Sequence, residues 1–374
     1  MNIPLLKPSP PRLSGLVSEL AAIEASGHFT NFGPVNTRLE QEMIARVFGG
    51  SGACLTVGNA TLGLLLAIRN AIGENVSGRR YALMPSFTFA ATAQAALWNG
   101  LTPLFCDIDP ETWVPSAPAE EEILERYGAA VAVVVPYATF GNSIDLARYD
   151  QLSRRHNVPV VVDAAASLGS QDRNGNGFGA GFSQPVVFSM HTTKAFSTLE
   201  GGLVYCADKT VIARLRAMAN FGFDEPRVAS LPGLNAKLPE VSALLGLAKL
   251  DAFDAVIERR EAAAAHYRAN LNECVFQRLT GRRTAHTFMP LLLPENRAHR
   301  RAEVVRALAD RGVGAGTYFS PHLAEHPYFE KNSAKGDLSV TEDIARRVLV
   351  LPLSDMIAME EVDEVCRVLT AVSA

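Results

Sequence analysis

The chain predicts an α/β fold: a mostly parallel sheet of about seven strands, followed by a smaller C-terminal α+β region. Three observations carry this. Short apolar runs alternate with longer helical patterns from about residue 40 to 250. One run, Val131-Ala132-Val133-Val134-Val135, is apolar at every position, as suits a strand covered on both faces. Two other runs end in chemically active side chains, Asp163 and Lys194, at the carboxyl edge where such sheets place their ligands.

Strands are expected at Ala53–Val57, Tyr81–Pro85, Thr102–Cys106, Val131–Pro136, Val158–Asp163, Pro185–Met190 and Gly202–Cys206. Between them, Thr61–Ile72, Ala90–Asn99, Leu146–His156 and Thr210–Ala219 keep helical spacing. Residues 239–272 read as one long helix, with Leu244, Leu247, Leu250 and Phe253 at three-to-four spacing. The charged run Glu258-Arg259-Arg260-Glu261 within it is expected to be a solvated face. The smaller region follows: an apolar stretch Thr287–Leu293, a helix Arg301–Arg311, a loop around Tyr318–Phe329, a helix start at Ser339–Arg347, a run Val348–Leu353 and a final helix Met359–Val372. At 374 residues the chain exceeds one simple core. We divide it into a large domain, 1–250 with an N-terminal arm 1–30, and a small domain, 251–374.

The charged fraction of 20% and the net charge of −4 match an ordinary globular protein and give no support to a nucleic-acid partner. Five scattered cysteines form no CxxC pair and read as buried free thiols, and no metal is expected. The N-terminus shows no signal-peptide pattern. The uncharged stretch Tyr81–Cys106 is interrupted by Pro85, Gln94, Asn99, Gly100 and Pro103, so it reads as strand, helix and strand and not as a membrane span. A cytoplasmic protein without a membrane partner is the expectation.

Lys194 closes the segment Val187-Phe188-Ser189-Met190-His191-Thr192-Thr193-Lys194, and Asp163 closes Val158-Pro159-Val160-Val161-Val162. A lysine and a carboxylate, each at the mouth of a buried strand, suit pyridoxal 5'-phosphate (PLP, with PMP as its aminated form). The lysine can hold the aldehyde covalently, and the carboxylate can keep the ring nitrogen protonated. Taken singly, each has a plainer reading, a surface lysine and a helix-capping aspartate. Neighbouring segments shift the balance. Gly58-Asn59-Ala60-Thr61 follows a strand and opens a helix, where free N–H groups suit a phosphate, although a simple tight turn needs the same small residues. Phe89, after the next strand, offers a ring for stacking or for the core. Ser189, five residues before Lys194, can donate a hydroxyl, and Gly233–Glu240 is a polar loop ahead of the long helix.

Together these segments resemble the DegT/DnrJ/EryC1/StrS family of PLP-dependent sugar aminotransferases, from Asn31-Phe32-Gly33-Pro34 to Leu351-Pro352-Leu353. Phe140-Gly141-Asn142 with Asp145, Asp163-Ala164-Ala165, Phe188-Ser189 with Lys194, Glu200-Gly201-Gly202, and Asn235 with Lys237 and Glu240 stand in the family's order. The resemblance implies an aspartate aminotransferase-like, type I PLP-transferase fold and a homodimer with active sites at its interface. It places catalysis on Lys194 and Asp163, and the cofactor on Asn59, Ala60, Thr61, Phe89, Asp163, Ser189 and Lys194. Asn235 falls where a residue reaches the phosphate of the neighbouring subunit. Family position or loop placement nominates Phe29, Asn31, His191, Asn220, Phe221, Arg227, Lys237, Tyr318 and His322 as substrate contacts. The activity implied is amination of a keto group on a nucleotide-linked keto-deoxysugar, with glutamate as donor. The stretch His191-Thr192-Thr193-Lys194 is similar to enzymes that aminate C4.

The sequence departs from the family at three places. Ala166 stands where a glutamine usually contacts the ring hydroxyl, Asn59 stands where a serine is common, and His191 stands where an aromatic is frequent, as a contact to cofactor or substrate or as a packed structural histidine. Amination of a non-sugar cyclic ketone, or dehydration of a sugar, stays open on the same fold. Relatives that dehydrate replace the lysine with histidine, and Lys194 is kept. A Rossmann-type dehydrogenase fits poorly, because no GxGxxG follows the first strand.

Overall fold

The computed structural model describes residues 2–73, 78–225 and 227–373. Two helices come first, α1 (Val17–Ser26) and α2 (Pro34–Arg46). Strands and helices then alternate: β1 (Ala53–Val57), α3 (Ala60–Ile72), β2 (Tyr81–Pro85), α4 (Ala90–Trp98), β3 (Thr102–Cys106) and α5 (Ala117–Tyr127). The series continues with β4 (Val131–Val134), α6 (Leu146–His156), β5 (Val162–Asp163), β6 (Val186–Ser189), β7 (Gly202–Cys206) and α7 (Lys209–Met218). A hairpin of β8 (Phe223–Glu225) and β9 (Val228–Ala229) precedes α8 (Glu240–Asp251) and α9 (Phe253–Asn270). The remainder comprises β10 (Val275–Phe276), β11 (Met289–Leu292), α10 (Arg301–Ala309), α11 (Pro327–Asn332), β12 (Ala334–Lys335), α12 (Ser339–Arg347), β13 (Val348–Leu351) and α13 (Met359–Ser373).

The seven expected strands form the central sheet. Two four-stranded ladders, β1-β7-β6-β5 and β4-β2-β3-β12, meet through parallel bridges Val134 to Val160 and Tyr137 to Asp163. The pairs are parallel except at β7, which runs antiparallel to both β1 and β6. The short β12 adds an eighth strand at the β3 edge.

Alternation along the strands sorts their side chains into two cores. Leu55, Val57, Ala82 and Met84 face a layer that holds Leu64 and Ile68 of α3, Ala93 of α4 and Leu215 of α7. Cys54, Leu83 and Leu104 face Leu39 of α2, Leu124 of α5, Leu152 of α6 and Ile257 of α9. Every residue of β4 is buried because both faces are covered. A third core joins Ala263, Ala264 and Tyr267 of α9 to β11, β13, α10 and α13. Ile3 belongs to this third core and pairs with Val313, which draws the N-terminal arm onto the C-terminal region.

Three expectations need correction. The long helix breaks at Ala252, whose conformation (φ −102°, ψ 3°) ends α8 before α9 begins. The charged run in α9 is not wholly solvated: Glu258 and Arg259 are exposed, but Arg260 is 3% exposed. Its Nη1 donates to the His286 carbonyl at 2.8 Å and its Nη2 to Asp355 Oδ1 at 3.0 Å. The loop around Tyr318–Phe329 contains a 3-10 turn, Leu323–Glu325, and the start of α11. Cys54, Cys106, Cys206 and Cys366 are buried, and all five thiols are free. Among the described residues no helix is long and apolar enough to cross a membrane.

Candidate active site

Asp163 ends β5 and is 2% exposed. Burial pushes its carboxyl above the usual range, opposed by the Thr92 hydroxyl, the Ala165 N–H and the Lys194 ammonium. Oδ2 accepts from Thr92 Oγ1 at 2.6 Å and Oδ1 from the Ala165 N–H at 3.0 Å. The carboxylate is therefore fixed in place by neutral donors. Lys194 lies on the loop after β6, its N–H bonded to the His191 carbonyl at 2.9 Å. Burial pulls its ammonium below the usual lysine range, and the Asp163 charge opposes that pull.

The turn after β1 is built for an anion. Asn59 caps α3, and its side-chain oxygen accepts the Leu62 N–H at 2.9 Å. That bond satisfies the third N–H of the helix; the first two, on Ala60 and Thr61, have no acceptor among the described residues. Gly202, the first residue of β7, lets this turn sit against the sheet. A Cβ there would stand 2.7 Å from the Ala60 nitrogen.

A cavity of about 360 Å³ joins these parts. Asn59, Ala60, Thr61, Phe89, Asp163, Ser189, His191, Lys194 and Tyr318 all line it. Phe89 is 62% exposed, so its ring is not a core residue and stands at the cavity wall. Ser189 Oγ accepts the His191 N–H at 3.2 Å and keeps its own proton to give. The His191 ring is held by Thr193, whose hydroxyl lies 2.9 Å and whose backbone nitrogen lies 3.3 Å from Nδ1, and by Glu200, whose Oε1 lies 3.5 Å from Nε2.

The remaining candidates lie elsewhere. Asn235 is exposed and does not line the cavity of its own chain; its backbone pairs with Asn220. Lys237 Nζ donates to Asn220 Oδ1 at 2.9 Å and sits 4.7 Å from the centre of the Phe221 ring. Arg227 is exposed on the β8–β9 hairpin, and Phe29 and Asn31 are exposed ahead of α2. His322 is 1% exposed, outside the cavity, with Nδ1 2.8 Å from Ser86 Oγ. Glu240 is structural: its carboxylate accepts the Val35 and Asn36 N–H groups at 2.8 and 2.9 Å at the start of α2.

The sequence reading missed several cavity residues. Leu6 arrives from the arm, Tyr137 and Phe140 from the segment after β4, and Thr287, Phe288 and Phe319 from the C-terminal region. Phe140 and Phe319 stack with ring centres 5.4 Å apart, so residues far apart in sequence share one wall. Phe140 stood in a segment of the family's order without an assigned role; no local pattern marks the others, because chain folding alone brings them together.

The sequence matches the family model of the DegT/DnrJ/EryC1/StrS aminotransferase family over residues 15–370. A crystal structure from Bacillus cereus ATCC 10987, described as a candidate PLP-dependent aminotransferase, superposes with a TM-score of 0.93 at 37% identity, covering 99% of this chain and 100% of that one. The structure of DesI with its TDP-sugar product superposes with a TM-score of 0.89 at 31% identity, covering 100% and 94%. The dTDP-4-amino-4,6-dideoxy-D-glucose transaminase of Shigella dysenteriae is 28% identical over 93% of this chain and 92% of its own length. With the type I PLP-aminotransferase fold of these relatives, the chain belongs to the DegT/DnrJ/EryC1/StrS aminotransferase family.

Proposed function

We propose that the protein binds PLP and aminates the keto group of a nucleotide-linked keto-deoxysugar at C4, taking the amine from glutamate. The observation that carries this reading is the meeting of Lys194 and Asp163 in one cavity with the unsatisfied helix start at Ala60 and Thr61. These residues fit the cofactor by chemistry. A lysine suits the aldehyde, a buried carboxylate without an arginine partner suits a protonated ring nitrogen, and two free N–H groups with a serine hydroxyl suit a phosphate. Gly202 supports the fit, since any side chain there would displace the cradle.

When bound, PLP supplies an aldehyde that joins amines and a ring that accepts electrons from the neighbouring carbon. The rest is the work of this chain. Asp163 holds a proton on the ring nitrogen, and Thr92 and the Ala165 N–H keep its carboxylate aimed. Lys194 would hold the aldehyde of the bound group and, as a free amine, would move the proton at the reacting carbon. Its lowered affinity for protons keeps a larger share of the amine free to act as base. Phe89, at the cavity wall, would stack on the ring, and the Phe140–Phe319 wall would exclude water.

The sugar-nucleotide substrate rests on the names of two relatives, one holding a TDP-sugar product and the other a transaminase of a 4-amino sugar nucleotide. The homodimer rests on Asn235, which is exposed and does not line the cavity of its own chain, with the role of reaching the phosphate across the interface. Phe29, Phe221 and Val241 are exposed on segments joined to the same loop and the helix after it: the Glu240 N–H donates to the Phe29 carbonyl and the Phe221 N–H to the Leu234 carbonyl. Such an apolar rim favours burial by a second copy. Arg227, exposed on the β8–β9 hairpin, and Lys237, beside Phe221, then suit the substrate diphosphate.

One assay tests the reading. The purified protein is incubated with glutamate and, separately, TDP-4-keto-6-deoxyglucose, its 3-keto isomer and an inosose. Mass spectrometry should show an amine gained by the 4-keto sugar. Amination of the inosose alone would overturn the sugar assignment.

A further inference from the structure

The Thr287 hydroxyl is buried without a partner. Thr287 is 2% exposed, yet its Oγ1 finds no hydrogen-bond partner among the described residues. Buried hydroxyls are seldom left so, because the lost hydration is not recovered. Thr287 is one of the residues that line the cavity of Lys194 and Asp163. A molecule that fills the cavity can supply the missing partner.

Sheet order says which side of that molecule Thr287 meets. Along the ligand edge the strands run β1, β7, β6, β5, β4. The anion turn follows β1, Lys194 follows β6 and Asp163 ends β5. Thr287 belongs with the β4 side. A Cβ on Gly141, in the segment after β4, would lie 2.9 Å from the Ala166 carbonyl and 3.5 Å from the His286 nitrogen, which brings the residue before Thr287 to that corner. The cofactor's own chemistry supplies the match. Its ring nitrogen stands opposite the aldehyde carbon, with the phosphate arm on one flank of that carbon and a ring hydroxyl on the other. With the phosphate at the β1 turn, the ring hydroxyl faces the β4 side. Ala166, which lines the cavity there, has no polar side-chain atom to offer. Tyr137 also brings a hydroxyl to the cavity, but among the described cavity-lining residues only Thr287 has a fully buried hydroxyl without a partner.

We infer that Thr287 Oγ1 donates a hydrogen bond to the ring oxygen of the cofactor, making Thr287 a cofactor-binding residue supplied by the C-terminal region. The inference rests on the PLP reading above. The test is Thr287→Val, which keeps the shape and removes the hydroxyl, with Thr287→Ser as the hydroxyl-bearing control. Two quantities are read: the dissociation constant of PLP, by dialysis followed by absorbance, and the pH midpoint of the bound absorbance band. Thr287→Val should bind PLP about ten-fold more weakly. Its midpoint should rise, because a donor that stabilises the deprotonated ring oxygen has gone. Thr287→Ser should stay near the parent on both. An Ala166→Gln change in the Thr287→Val background should recover part of the lost affinity. Unchanged affinity and midpoint in a folded Thr287→Val protein overturn the inference. So does a change confined to the KM of the sugar nucleotide, which would turn the hydroxyl toward the substrate. If the parent protein itself fails to bind PLP, the proposed function falls first, and that result is separate.

Discussion

Asp163 and Asp355 are two buried aspartates that the protein treats in opposite ways. Asp163 meets only neutral donors and one lysine, and burial pushes its carboxyl up. Asp355 is desolvated too, but Arg260 and Lys249 outweigh that burden and hold its carboxyl below the usual range. Its oxygens lie 3.0 Å from Arg260 Nη2 and 3.6 Å from Lys249 Nζ, and Oδ2 accepts from Ser9 Oγ at 2.7 Å. The cluster ties the arm, α8 and α9 together and gives the Asp355 carboxylate charged partners of the protein's own, although Arg260 Nε is left without a partner among the described residues. The cavity offers Asp163 no charged partner besides Lys194, and it leaves charge and hydrogen-bonding capacity for something to bind. The supply of matching charge thus separates a joint from a site.

Four experiments sharpen that contrast. The largest effect is expected from Lys194→Ala and Asp163→Asn. Each should lower kcat at least about a thousand-fold while folding survives, and Lys194→Ala should lose the near-visible absorbance of the loaded protein. A Lys194→Ala protein that keeps the band and turns over sinks the assignment. Asp355→Asn should do the reverse. It leaves two buried cations without their anion and should cost about 3–5 kcal/mol in urea unfolding, with the PLP band unchanged.

The third concerns pH. His286 is 3% exposed, and burial with the Arg268 and Arg260 charges pulls its pKa down to about 3. The unfolded chain takes up this proton near pH 6.5 and the folded chain does not. Stability from His286 is therefore present above pH 6.5 and lost as pH falls toward about 3. The loss should approach about 1.4 kcal/mol per pH unit, and the slope should be shallower in His286→Gln. Equal slopes would remove His286 from the account. The smallest effect belongs to Thr92→Val, which removes one neutral donor from Asp163. It should lower kcat by about ten-fold and leave the KM for the sugar nucleotide unchanged.

Much of the framework was legible in the sequence. Strand burial on both faces demands apolar runs, so the central strands stand out, and Lys194 and Asp163 are conspicuous at the ends of two of them. Strand direction was not legible: β7 has the same apolar pattern as its parallel neighbours but runs the other way. The helices α1, α2 and α5 also passed unnoticed. In α5, the acidic stretch Glu120-Glu121-Glu122 hides a narrow buried stripe of Ile123 and Leu124, and Glu120 itself is buried against Arg148. At the site, residues next to the strand ends could be named, whereas Thr287 and Phe319 could not. His322 was attractive on a polar loop, but the fold spends it on Ser86.

The reversed strand has a metric consequence. An antiparallel β7 points its C-terminal end away from the ligand edge and presents there only Gly202, its first residue. It therefore works as a spacer. Neighbouring strands lie about 4.8 Å apart, so β1 and β6 are held about 10 Å apart with a near-featureless floor between them. The anion turn follows one and the lysine loop the other. The sheet thereby sets a gauge between the two ends of a flat ligand, and a side chain at position 202 would close the gap that the gauge keeps open.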